Sequence, residues 1–171
     1  SISLKKGMVL KRPVYTEPNF TEVTGPLSVL NNLDNIHTEP VVFDEISDFT
    51  EIEVLLSYNN KSVIPEYKTV KLIAEVEDLT EGEIEVPITI IGVPENKRLR
   101  LLPNLVTVKY STGLSHYDLI SLELFDVIVN YDDVIKNASK IPVYLRTVPS
   151  YVNVIHFYPE QVGYLKMDIS E

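Results

Sequence analysis

A chain of 171 residues is long enough for one large domain or two small ones, and a hydrophobic fraction of 44% supplies a real core. The net charge of −10 argues against a protein that works by neutralising nucleic-acid phosphates or by adhering to anionic lipid. The absence of cysteine removes disulfides, thiolate metal sites and cysteine nucleophiles.

Eleven Pro, only 6 Gly and 10 Tyr, among many Val and Ile, favour strands broken by rigid turns. The first such strand is led by Pro18 in "PNFTEVTG". After it, "GPLSVLNNLDNI" places Leu27, Leu30, Leu33 and Ile36 at spacing three behind a Gly-Pro pair, which predicts a short helical piece. Gly25 is expected to take a positive φ there, with Pro26 fixing the first helical φ. In "TEIEVLLSY", Ile52, Val54 and Leu56 alternate with Glu51 and Glu53; in "KTVKLIAEVE", Val70, Leu72, Ala74 and Val76 alternate with Lys71, Glu75 and Glu77. Period two with β-branched residues predicts half-buried strands. "EDLTEGE", from Glu77 to Glu83, is read as an acidic joint in which Gly82 turns the chain. "EIEVPITII" resumes the alternation through Ile84, Val86, Ile88 and Ile90.

The second half repeats the order. Pro103 opens "PNLVTVKY", 85 residues after Pro18 (103 − 18). "SHYDLISLELF" predicts a second short helix, with Ser115 three residues before Asp118 as a relative of the capping box. "FDVIVNY" and "YVNVIHFY" are apolar on both faces and are expected at the centre of a sheet. "YPEQVGYLK" from Tyr158 answers "IPEYKTVKL" from Ile64 at an offset of 94 (159 − 65). One unit of about 80 residues, within the usual domain range, is therefore written twice.

Residue chemistry points to no active site. His37, His116 and His156 lie far apart without ligand spacing; His156 is expected as a hydrogen-bonded core residue, His37 and His116 as surface loop residues. The acidic runs follow no calcium-loop pattern, and no nucleophile elbow, phosphate loop or dinucleotide fingerprint is present. No catalytic, cofactor-binding or metal-ligating residue is assigned, and no cofactor. Tyr58, Tyr110, Tyr144, Tyr151, Tyr158 and Tyr164 sit in predicted strands, where packing is the simpler reading than ligand recognition.

The chain resembles YbbR-like domains at Val23-Thr24-Gly25-Pro26, at Leu30, Leu33 and Ile36, in "VPITIIGVP", and in the recurring strands led by Pro65, Pro103 and Pro159. The likeness covers two tandem copies, residues 1–79 and 80–171; the second departs from it, with "VKYSTG" in place of Val-x-Gly-Pro. The resemblance implies an all-β fold, mainly β with one short helical segment per repeat, in which strands follow a figure-eight path. A similar path occurs in the C-terminal domain of a stress-responsive bacterial ribosomal protein. It further implies a non-enzymatic module on the extracytoplasmic side of the bacterial membrane, held by an N-terminal anchor helix outside these residues. The partner it implies is a membrane protein, such as a diadenylate cyclase under regulation, with no nucleic acid. The alternative is a cell-surface carbohydrate-binding or adhesin-like β module.

Overall fold

The computed structural model describes residues 1–58, 62–135 and 139–168. It is mainly β and falls into two compact units, Ser1–Asp78 and Leu79–Glu171.

The first unit runs β1 (Ile2–Leu4), β2 (Met8–Leu10), β3 (Tyr15–Glu17), β4 (Val23–Thr24), α1 (Leu27–Leu30), β5 (His37–Thr38), β6 (Phe43–Ile46), β7 (Thr50–Ser57), β8 (Ile64–Pro65) and β9 (Thr69–Ala74). β3, β9, β7 and β5 form one sheet in that order, β4 pairs with β8, and β1 lies parallel to β6. The alternation in β7 sorts as expected, and in β9 in part: Val54 and Val70 are buried opposite each other and Glu51, Glu53 and Lys71 are exposed, but Ile73 is buried on the side of Lys71. β6 carries an irregularity. Ile2 pairs with Phe43 but Leu4 with Ile46, and the extra residue is absorbed at Glu45, whose φ is +47°. Ser3 holds this bulge, its Oγ donating to Asp44 at 2.7 Å and accepting from the Glu45 N–H at 2.8 Å.

The second unit begins inside β10 (Val76–Ile91), whose first three residues pair with β2. It continues through β11 (Lys97–Leu102), β12 (Leu105–Gly113), α2 (Leu114–Tyr117), a 3-10 turn (Leu122–Leu124), β13 (Asp126–Asn130), α3 (Tyr131–Ile135), β14 (Ile141–Pro142), β15 (Tyr144–Thr147), β16 (Val152–Tyr158) and β17 (Gln161–Asp168). One sheet has the order β15-β13-β10-β12-β16 and another β11-β17-β14. Val86, Val106, Val108, Val127, Val129, Val134, Ile141 and Val162 form the centre of its core.

Several expectations are corrected. The acidic joint is a strand: Glu81, Glu83 and Glu85 alternate with Gly82, Ile84 and Val86, and residues 79 to 87 pair antiparallel with β12. Gly82 makes no turn, but lies opposite Tyr110, whose ring occupies the place a side chain would take. Gly25 does not have a positive φ; Gly7 (+85°) and Gly92 (+74°) do. Glycine is required at 25 for space, since a Cβ there would stand 2.8 Å from the Ser62 carbonyl oxygen. The helical piece stops after Leu30, where Asn32 bonds back to the Ser28 carbonyl at 2.9 Å. α2 starts after Gly113 and takes no cap from Ser115, so the second unit holds three short helical pieces rather than one. β13 is interior and buried, as its two apolar faces predict, but β16 is an edge strand.

The pairing registers of the two units correspond. Glu17 pairs with Lys71 in the first unit and Leu102 with Gly163 in the second. Val23 pairs with Pro65, and Val108 with Phe157. Val54 pairs with Val70, and Ile141 with Val162. The parallel pair Ile2 and Phe43 is answered by Ile88 and Val127. The offset runs from 84 (127 − 43) to 87 (141 − 54) for the earlier strands and is 92 for the later ones (163 − 71). Pro65 thus corresponds to Phe157 and not to Pro159. The peptide bonds before Pro18, Pro103 and Pro159 are cis.

Candidate contact surfaces

Among the described residues no group of three or more His, Asp or Glu side chains could hold a metal ion. His37 lies exposed in β5, a strand rather than a loop. His116 is half-buried in α2, its ring stacked on Tyr151 at 4.6 Å. His156 is exposed on β16 beside Tyr158 at 5.9 Å, not in the core. Of the strand tyrosines, Tyr110 is buried, whereas Tyr144 and Tyr158 are exposed; Tyr58 and Tyr151 lie just outside strands.

One polar cluster has a defined geometry. The Arg12 guanidinium lies 4.0 Å from the Tyr15 ring centroid and pairs with Glu75, which also accepts the Tyr15 hydroxyl at 2.9 Å. The Lys11 N–H donates to the Glu75 carbonyl at 2.9 Å, so backbone and side chain together clamp the segment before β3 onto the end of β9. Arg12 first and the Tyr15 hydroxyl second hold the Glu75 carboxyl below the ordinary carboxylate range. The bond to Glu75, followed by burial, raises the Tyr15 phenol. A lowered carboxyl contributes stability that is present above its unfolded pKa and is lost as pH falls through its folded pKa. The raised phenol works the other way, its contribution being lost in alkali as pH rises through the folded value. Arg12→Ala should therefore move the Glu75 titration upward, read by NMR of its side-chain carbonyl; an unmoved titration removes this account of the clamp.

The more open surface is a groove of about 320 Å³ in the first unit. Pro18, Asn19 and Phe20, the segment from Leu33 to Ile36, and Leu56 and Val70 are among the residues that line it. Phe20 is 81% exposed, although a ring of that size normally seeks cover. The "PNF" stretch marks this place in the sequence, where it reads only as the start of a repeat. Its counterpart, Pro103-Asn104, lines a groove of about 330 Å³ in the second unit. Both grooves are open and partly apolar, suited to a contacting side chain or peptide more than to enclosing a reacting substrate.

No helix among the described residues is long and apolar enough to cross a membrane. Searches of curated proteins and of solved structures gave no match. Residues 1–72 match the family of YbbR-like proteins. That span takes in the lining of the groove and nearly all of the first unit, with Arg12 and Tyr15 of the clamp inside it and Glu75 beyond its end, and residues 1–72 therefore resemble a YbbR-like domain.

Proposed function

We propose that the chain is a non-enzymatic tandem YbbR-like module, standing outside the cytoplasm in a membrane-anchored bacterial protein and working through protein contacts. The family match supports the first domain, and the corresponding strand registers support reading the second unit as another copy. The resemblance to regulators of membrane enzymes supports a partner that shares the membrane, such as a diadenylate cyclase. Anchoring would concentrate both proteins, so a shallow contact suffices. The observation that carries the reading is the exposed Phe20 ring at a partly apolar groove.

The test uses the full-length protein: a topology reporter, then crosslinking from the groove and identification of what is captured. Phe20→Ala should cut the captured membrane protein several-fold while leaving the thermal midpoint nearly unchanged, because an exposed substitution shifts stability by only about 0.5 kcal/mol. A cytoplasmic reporter signal overturns the localisation, and turnover of a substrate overturns the non-enzymatic reading. Retention of the chain on a glycan array, with capture unaffected by Phe20→Ala, would favour the carbohydrate-binding alternative.

A further inference from the structure

The outer faces of the sheet β11-β17-β14 in the second unit and of the corresponding strands β3-β9-β7 in the first, where β5 adds a fourth strand, carry complementary patterns. In the second unit, Arg98 pairs with Met167, Arg100 with Leu165 and Leu102 with Gly163. Directly paired residues share a face. Here Arg98, Arg100, Leu102, Leu165 and Met167 are all exposed, while Leu99, Leu101 and Tyr164 face the core. Arg12 and Arg146 each hold a carboxylate, whereas Arg98 and Arg100 hold none among the described residues. Two guanidinium groups beside apolar side chains, with no carboxylate partner among the described residues, stand out on a chain of net charge −10.

In the first unit the corresponding face is acidic. Glu51, Glu53 and Leu55 project from β7 on the exposed side, and Glu17 stands across Lys71 from Glu53. Glu51 accepts from Lys71 at 2.8 Å and Glu53 from Thr69 at 2.6 Å. Both carboxylates are exposed and keep free lone pairs. Arg98-x-Arg100-x-Leu102 therefore meets its charge image in Glu51-x-Glu53-x-Leu55. Each set occupies every second position of a strand, with successive side chains about 7 Å apart.

We propose that the Arg98, Arg100 and Leu102 face of one copy docks on the Glu51, Glu53 and Leu55 face of a second copy. With the two strands stacked face to face and parallel, each guanidinium reaches one carboxylate in the two-pronged geometry arginine favours, and Leu102 lies on Leu55. The contact joins different patches on the two copies, so each molecule carries both a donor face and an acceptor face. Exposed ion pairs are individually weak and screened by salt, which makes the association weak and salt-sensitive.

Sedimentation of the chain should show self-association at an ionic strength of about 0.01 M and loss of it at about 1 M. Arg98→Glu/Arg100→Glu and, separately, Glu51→Arg/Glu53→Arg should each weaken association roughly a hundredfold. An equimolar mixture of the two variants should associate again, because each then offers the other an opposite charge. Should either reversal disturb folding, judged by circular dichroism, the Gln versions at the same positions should still weaken association at least tenfold. A wild-type chain that stays monomeric at low salt overturns the proposal. So does association that survives the substitutions, or a mixture of folded reversal variants that fails to recover it.

Discussion

Ile141→Ala should destabilise the chain by about 2–5 kcal/mol, the usual range for truncating a buried Ile or Leu. Ile141 is fully buried in a strand of only two residues, and it pairs with Val162, which is equally inaccessible. Val127, Val129, Val134 and Phe125 belong to the same core. Most of these neighbours are β-branched residues held in strands, which relax little into a cavity. The measurement is a urea unfolding curve, in which the midpoint should fall while the slope is retained. Ile64→Ala serves as the comparison, since Ile64 is 66% exposed and its truncation should change stability by only about 0.5 kcal/mol. Equal midpoints for the two variants would show that the β14 anchor does not hold this core.

Gly82→Val should cost about 1–3 kcal/mol by overpacking, despite the better strand propensity of valine. A Cβ at 82 would stand 2.6 Å from the Tyr110 hydroxyl oxygen and 2.7 Å from the ring carbon that bears it. The ring has little room to retreat, being buried and packed near Phe125 at 6.2 Å between centroids. Burial also raises the Tyr110 phenol above its ordinary range. A double-mutant cycle with Tyr110→Ala isolates the contact, because valine then fills space the ring has left. The double variant should be more stable than the sum of the two single losses predicts; strict additivity would mean the ring and the glycine do not meet.

The half-buried strands were legible because Glu and Lys alternate with Val, Ile and Leu in β7 and β9, and period two needs no knowledge of the partner strand. The same alternation was present at Glu81, Glu83 and Glu85, but a dense charge run whose first inner positions are small or polar reads as a linker. There Gly82 and Thr80 stand where Val or Ile would have marked the inner face. Edge position is not a local property: "YVNVIHFY" is as apolar as an interior strand, and only the pairing order leaves its outer side uncovered. Glycine at 25 was rightly singled out as needed, but the reason is a carbonyl from a segment nearly forty residues away. The groove at Phe20 was in view as a motif. Its exposure depends on which segments gather around Pro18, information that no single stretch carries.

The bulge at Glu45 bears on how the two halves differ in length. Phe43 and Ile46 are an odd number of positions apart, yet both turn away from solvent more than Asp44 and Glu45 do, because the left-handed residue between them takes up the extra step. In the corresponding strand, Val127 and Val129 achieve the same with an even spacing, in unbroken register with the parallel neighbour β10. The gene can therefore gain or lose a codon at this point without turning the strand inside out. Small insertions and deletions become neutral edits here, and the two copies can drift in length while keeping the same apolar side inward.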